Sequence, residues 1–273
     1  MQFGLVDYGY TFFILFPLFL GFSIGLLFKK GIHILYMTVG IIVGCLALIM
    51  FGIEGFVCVL MLLPIFLIFV TIGYFLGKSV RIDTANKSSK IIVSILPLLV
   101  LYILGSIELK SSLEPNVIEI ETSVVLPYSA ETLFDGVKSM KKLNGEKPIL
   151  MKLGLPTPIR CDLDANEVGA LRHCIFENGE ITAQLTKYEK GEVLEMKVVD
   201  YTLTGRHWFK FVDAKYLFER VDRNQTKITR TSSYKSTLKP RWYWEPLEKI
   251  GIDQEHKFVL NSLKKNIEEE NDK

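Results

Sequence analysis

Residues Val168–Val199 read VGALRHCIFENGEITAQLTKYEKGEVLEMKVV, three short β-type runs separated by two turn signals. Asn178-Gly179 is the stronger turn, the strongest short hairpin signal in the chain. It joins Ala170–Glu177 to Glu180–Tyr188, and Lys190-Gly191 joins that run to Val193–Tyr201. Three consecutive antiparallel strands follow, and the remainder of the domain is read outward from them.

Upstream, Val117–Leu126 is rich in β-branched residues with partial alternation, a strand stopped by Pro127-Tyr128. Ser129 is placed to N-cap a helix, although Thr132 stands where a capping-box acid would sit. Leu133, Phe134, Val137 and Met140 then recur at helical spacing. Residues 143–158 carry Gly and Pro and are expected to be irregular. Ile159–Leu163 is a further strand, followed by a turn at Asp164–Glu167. Cys161 and Cys174 lie symmetrically about that turn, which makes them cross-strand neighbours. They are read either as a disulfide, if the domain lies outside the cytoplasm, or as two buried free thiols.

Downstream, Thr204–Asp213 is expected to be a connection, and Lys215–Val221 and Lys227–Tyr234 a last hairpin around Asp222–Gln225. Pro240–Glu270 is helical in pattern, with an interruption expected near Pro246 and Gly251. Asp253 would N-cap the second part, whose apolar side carries His256, Val259, Leu260, Leu263 and Ile267.

Strand, helix, a run of antiparallel strands and a long final helix predict an α+β domain, with a curved antiparallel sheet wrapped on that C-terminal helix. Residues Leu126–Phe134 (LPYSAETLF), Val168–Arg172 (VGALR) and Phe176–Ile181 (FENGEI), together with the final helix, carry a resemblance to a known superfamily. From about Val117 to Ile267 the chain resembles the SRPBCC or START-like helix-grip superfamily, in its polyketide cyclase/dehydrase-type branch. The resemblance implies a cavity between sheet and helix that holds a hydrophobic or amphipathic ligand. It transfers the fold more safely than any reaction.

The N-terminal part is of another kind. Tyr10–Phe28, Ile32–Phe51, Phe56–Gly77 and Ile91–Ile107 are four apolar segments of near-spanning length, with His33 the one ionisable group within them. Pro17, Pro64 and Pro97 would kink such helices without forbidding them. The expected division is therefore a four-helix transmembrane region at 1–107, a linker at 108–116 and a helix-grip domain at 117–270. Gly21/Gly25 and Gly40/Gly44 have the small-xxx-small spacing that admits close helix contact, read first as packing within the bundle. No basic n-region or small-residue cleavage site marks the first segment as a cleaved signal.

Residues 1–107 hold six Lys/Arg and three acids, leaving 26 basic and 27 acidic residues for 108–273. A near-neutral second half lacks the basic field that nucleic acid demands, so no nucleic-acid partner is expected. The basic residues of the first half cluster at Lys29-Lys30 and at Lys78, Arg81, Lys87 and Lys90. The positive-inside rule places both hairpins in the cytoplasm. The expected location is the bacterial inner membrane, multi-pass, with the C-terminal domain extracytoplasmic.

Arg172 is the sharpest site residue, because on one face of its strand it would present a guanidinium to an apolar pocket with Cys174 and Phe176 beside it. Which face lines the interior is not decided by the alternation. Tyr188, Tyr216 and Tyr234 are further pocket residues, and Trp242 and Trp244 either cap the cavity mouth, sit at lipid headgroups or pack on the sheet. His173, His207 and His256 form no HxxxH or CxxC-type set, so neither metal nor cofactor is expected. Phosphate loops and nucleophile elbows are absent from the sequence. The leading expectation is a tethered binder of a hydrophobic or lipid-like molecule. The alternatives are a cyclase, dehydrase or hydrolase using Arg172 with a Tyr or His, and a structural module of an envelope complex; no oligomeric state is implied. A reporter active only in the cytoplasm, fused after Lys273, is expected to stay silent, and activity there overturns the topology.

Overall fold

The computed structural model describes residues 9–28, 31–51, 55–80, 97, 99–108, 115–203 and 208–271. They divide into two compact units, one of residues up to 114 with Thr237–Trp244, the other of Pro115–Ser236 with Glu245 onward. The boundary falls close to the expected linker, but Thr237–Trp244 belongs with the apolar unit.

In the apolar unit a π-helical turn, Thr11–Leu15, runs into α1 (Phe16–Leu27), followed by α2 (Ile32–Met50), α3 (Phe56–Ser79) and α4 (Leu99–Glu108). Among the described residues, α2 and α3 are long and apolar enough to cross a membrane; Thr11–Leu27 and α4 are shorter. Among the described residues two helices of spanning length thus stand where four are expected, and 91–96 and 98 of the fourth segment lie outside the described residues. α1 and α3 meet backbone to backbone. A Cβ on Gly21 would lie 1.9 Å from the Val70 carbonyl oxygen, and one on Gly73 2.0 Å from that of Leu18. One turn on, Gly25 and Gly77 make the same approach to Tyr74 and Phe22. The Gly40/Gly44 pair has open space within 4 Å instead. The Glu108 carboxylate accepts the backbone N–H groups of Tyr10 (2.8 Å) and Thr11 (2.9 Å), which satisfies orphan donors where the first helix begins.

The second unit is a seven-stranded antiparallel sheet. Its elements are β1 (Ile118–Leu126), α5 (Ala130–Lys138), α6 (Ile149–Lys152), β2 (Pro158–Leu163), β3 (Leu171–Phe176), β4 (Gly179–Glu189), β5 (Val193–Tyr201), β6 (Phe209–Asp222), β7 (Gln225–Ser236) and α7 (Arg241–Asn271). The strand order is β1-β7-β6-β5-β4-β3-β2. From β1 at one edge the chain crosses through α5 and α6 to β2 at the other, then meanders back to pair β7 with β1. Register shifts in the β2–β3, β4–β5 and β6–β7 pairs bend the strands. An antiparallel sheet gripping a long C-terminal helix is the expected helix-grip arrangement.

The Ser129 side chain accepts the Thr132 N–H at 3.2 Å and starts α5, burying Leu133, Phe134 and Val137. Those residues pack with Leu194, Met196, Tyr216, Phe258 and Leu263 in the main core. The stretch expected to be irregular contains α6, which places Met151 in that core.

Two expectations about element ends need correction. β6 starts at Phe209, inside the expected connection, because Phe209 and Phe211 pack with Ile120, Tyr234 and Ile252. α7 runs unbroken past Pro246 and Gly251. Pro246 lies in its second turn, where the missing N–H removes one intrahelical bond. Asp253 is therefore no N-cap; it accepts from Thr122 (3.1 Å) and pairs with Lys257 (2.6 Å).

Gly25→Val is expected to destabilise the apolar unit by about 3 kcal/mol through forced overpacking, whereas Gly44→Val leaves it near wild type. Thermal unfolding of both variants in detergent checks this difference.

Candidate functional site: a polar layer inside an apolar interior

The inward residues of β7 alternate along the strand, so Ile228, Arg230, Ser232, Tyr234 and Ser236 share one face. Opposite them α7 presents Glu248, Ile252, Glu255, His256 and Val259, spaced three to four residues apart. Ile228 and Val259 belong to the main apolar core; Tyr234 and Ile252 belong to a second, smaller cluster with Ile120. Between the two clusters lies a layer of polar side chains.

Its centre is an ion pair. The Arg230 Nη2 lies 3.0 Å and 2.8 Å from the two carboxylate oxygens of Glu255, with both side chains close to 90% buried (11% and 12% exposed). The Arg230 guanidinium also sits 5.5 Å from the centroid of the fully buried Tyr216 ring, a cation–π contact. Burial pulls the Arg230 pKa down, and the Glu255 carboxylate more than reverses that, leaving it above the ordinary value. Its Nε and Nη1 are buried without a hydrogen-bond acceptor.

Arg172, 4% exposed, does point inward, and with it the question of which face of β3 lines the interior is answered. It serves α5. Its Nη2 donates to the Val137 carbonyl at 2.9 Å and its Nε to the Lys138 carbonyl at 3.2 Å, with Nη1 3.7 Å from the Met196 sulfur. Those carbonyls are orphan acceptors at the negative end of the α5 dipole. Burial lowers the Arg172 pKa, with Tyr216 favouring and Arg230 opposing its charge.

His256 is fully buried and bridges sheet to helix, with Nδ1 3.0 Å from Thr122 Oγ1 and Nε2 2.8 Å from Ser232 Oγ. Because the Thr122 hydroxyl donates to Asp253, it accepts from His256; the ring then carries its proton on Nδ1 and accepts from Ser232. Burial, with Arg230 nearby, pushes its pKa down to about 2. The chain Ser232–His256–Thr122–Asp253 has the order of a proton relay, but a ring of that pKa accepts no proton near neutrality. Further along, Glu248 accepts from the Tyr234 hydroxyl (3.1 Å) and from Ser236 Oγ (2.7 Å).

Of the residues expected in the pocket, Tyr216 borders the layer and Tyr234 joins it. Tyr188 lies at the core margin, its ring 5.1 Å from Phe134 and its hydroxyl bonded to Asn166. Phe176 is buried, and Cys174 is joined to Cys161 by a disulfide (S–S 2.06 Å) directly across the β2–β3 ladder. Trp242 and Trp244 leave the site. Trp242 is exposed, and Trp244 is buried against the Phe13 ring, 4.8 Å away, in the apolar unit. Arg230, Glu255 and Ser232 were not singled out from the sequence. The usable signal was the alternation Ile228, Arg230, Ser232, Tyr234, which sets an arginine on the same face as core residues.

No protein-family model and no curated protein matches the sequence. Among solved structures the chain is similar to the Zhui aromatase/cyclase from Streptomyces sp. R1128, with 10% identity over 56% of this chain and 94% of that one (TM-score 0.42). It is also similar to norcoclaurine synthase from Thalictrum flavum, with 12% identity over 57% and 89% (TM-score 0.40). A START superfamily protein from Mycobacterium smegmatis shows 12% identity over 55% and 97% (TM-score 0.40). Each is a likeness of fold.

Two outcomes are expected from this geometry. Arg172→Met leaves the α5 carbonyls unpaired and lowers stability by about 2–3 kcal/mol without unfolding the sheet, read from denaturant midpoints. For His256 the unfolded chain protonates at its ordinary value of 6.5 while the folded chain resists down to about 2. Stability therefore falls as pH drops below 6.5, by up to about 1.4 kcal/mol per pH unit. His256→Gln, which keeps a donor and an acceptor, flattens that slope. His173, raised by its Glu180 contact, contributes with the opposite sign and remains in both proteins.

Proposed function

We propose that the chain is a membrane-anchored binding protein whose sheet–helix unit takes a hydrophobic or amphipathic molecule, lipid included, into the interior between sheet and α7. The observation that carries this reading is the polar layer buried between two apolar clusters, the division of chemistry that an amphipathic molecule requires. Arg172, on which a catalytic reading with a Tyr or His would lean, is engaged with helix carbonyls, and the buried His256 stays uncharged near neutrality.

Several features support the anchor. α2 carries no Asp, Glu, Lys or Arg, and it exposes Leu35, Val39, Val43, Leu46 and Met50, side chains that lipid would cover. Glu108, at the end of α4, meets the N–H groups that begin the first helix. That contact brings both ends of the unit to one side, which suits an even number of crossings and so the four-span reading. The charged hairpins then face the cytoplasm, and the Cys161–Cys174 disulfide fits the oxidising side. The setting we propose is a bacterial inner membrane with the sheet–helix unit outside the cytoplasm.

Lipid extraction of the full-length protein purified from membranes, followed by mass spectrometry, is expected to return an amphipathic species retained near one per chain. Protein that carries none and binds no apolar probe overturns the reading. For the compartment, alkylation of the denatured chain is expected to label only Cys45 and Cys58 before reduction and all four cysteines after it. Four labels without reductant count against an extracytoplasmic domain.

A further inference from the structure

The polar layer leaves hydrogen-bond donors of one arginine without acceptors. Two guanidiniums, Arg172 and Arg230, stand in the interior, and neither can be neutralised by losing a proton. A single carboxylate, Glu255, faces them. Glu248, two turns earlier on α7, is engaged with Tyr234 and Ser236, and His256 is neutral. The helix carbonyls held by Arg172 offset part of its charge. Arg230 has no such offset beyond Glu255, and hydrogens on two of its three nitrogens meet no acceptor. Buried donors on a charged group are costly to leave without acceptors, and the oxygens of an added anion satisfy both at once.

Resting on the ligand-binding reading above, we propose that the interior takes an anionic amphiphile, its carboxylate or phosphate monoester received by the free Nε and Nη1 of Arg230 above the Tyr216 ring. The acidic head completes the partner set that Glu255 begins. The apolar tail lies toward Leu194 and Met196 on the neighbouring β5 and Phe218 two residues along β6 from Tyr216, all in the main core. The planar guanidinium donates in fixed directions, so it prefers a two-oxygen acid to a single hydroxyl. The role foreseen for Arg172 passes to an arginine four strands away across the sheet.

The test uses the full-length protein in a non-ionic detergent, with decanoate, decyl phosphate, decanol and acetate as probes and binding read by titration calorimetry. Decanoate or decyl phosphate is expected to bind the wild type at least about tenfold tighter than decanol, the worth of one charge-assisted contact. Acetate is expected to bind far more weakly. In Arg230→Gln/Glu255→Gln, which removes the pair without stranding either charge, acid and alcohol bind alike. Arg230→Lys keeps the charge but loses the fork, and lowers acid affinity about tenfold. Should the double variant fail to fold, the wild-type comparison and Arg230→Lys still decide. Equal binding of acid and alcohol by the wild type overturns this proposal and leaves the ligand-binding reading standing. Binding of no probe removes both. Acetate binding as tightly as decanoate overturns the amphiphile, because the site then takes a free anion.

Discussion

Arg230 and Glu255 join the last strand to the last helix inside the protein, and such a pair constrains everything around it. Removing two charges from water is unfavourable by several kcal/mol per ion even after relaxation, so the pair persists only where geometry is held closely. Here β7 fixes one partner by its pairing with β1 and β6 on either side, and α7 fixes the other by burying Val259, Leu263 and Ile267. Slipping β7 by one residue would turn Arg230 outward and point Thr229 or Thr231 at Glu255. The ion pair thus sets register as much as it contributes stability. The hydroxyl and imidazole bonds of Thr122, Ser232 and His256 continue the same seam toward the smaller apolar cluster.

The apolar unit solves a different problem. Its first and third helices are held by close backbone approach, which small residues permit. α1 and α3 do this with four glycines that bring the chains within reach of each other's carbonyls. The polar ends of the unit are settled by main-chain partners. Glu108 serves the first N–H groups, and the Tyr243 hydroxyl donates to the Met61 carbonyl in α3, just before Pro64.

Much of the sheet was legible in the sequence because its turns are chemically explicit. Asn178-Gly179 and Lys190-Gly191 define β4 and β5 closely, with Gly179 and Gly191 at positive φ, and Ser129 caps α5 as read. What escaped depends on contacts distant in sequence. Phe209 and Phe211 become strand because Tyr234 and Ile252 await them, which no local pattern reveals. The expected break at Pro246 and Gly251 followed local propensity, and the helix face packed on the sheet overrides it. The site was half legible. Alternation placed Arg172 on a face but could not say which side was inside. An arginine among threonines and serines in KITRTSSY reads as an ordinary solvent face until Glu255 arrives from 25 residues on.

Arg172 and Arg230 also show why residue type alone does not assign a role. Both are buried and inward, and Arg230 is close enough to disfavour the charge of Arg172. Arg172 meets the end of a helix, whose carbonyls are fixed acceptors with nowhere else to turn, so its donors are committed when the fold forms. Arg230 meets one carboxylate and one aromatic face, and neither reaches Nε or Nη1. The neighbouring hydroxyls of Ser232 and Thr122 are engaged with His256 and Asp253, and neither lies within hydrogen-bond reach of those two nitrogens. A ring whose pKa lies near 2 keeps that orientation across the working pH range. The neutral part of the layer is therefore a rigid frame, and the donors left over within it converge on the Arg230 guanidinium.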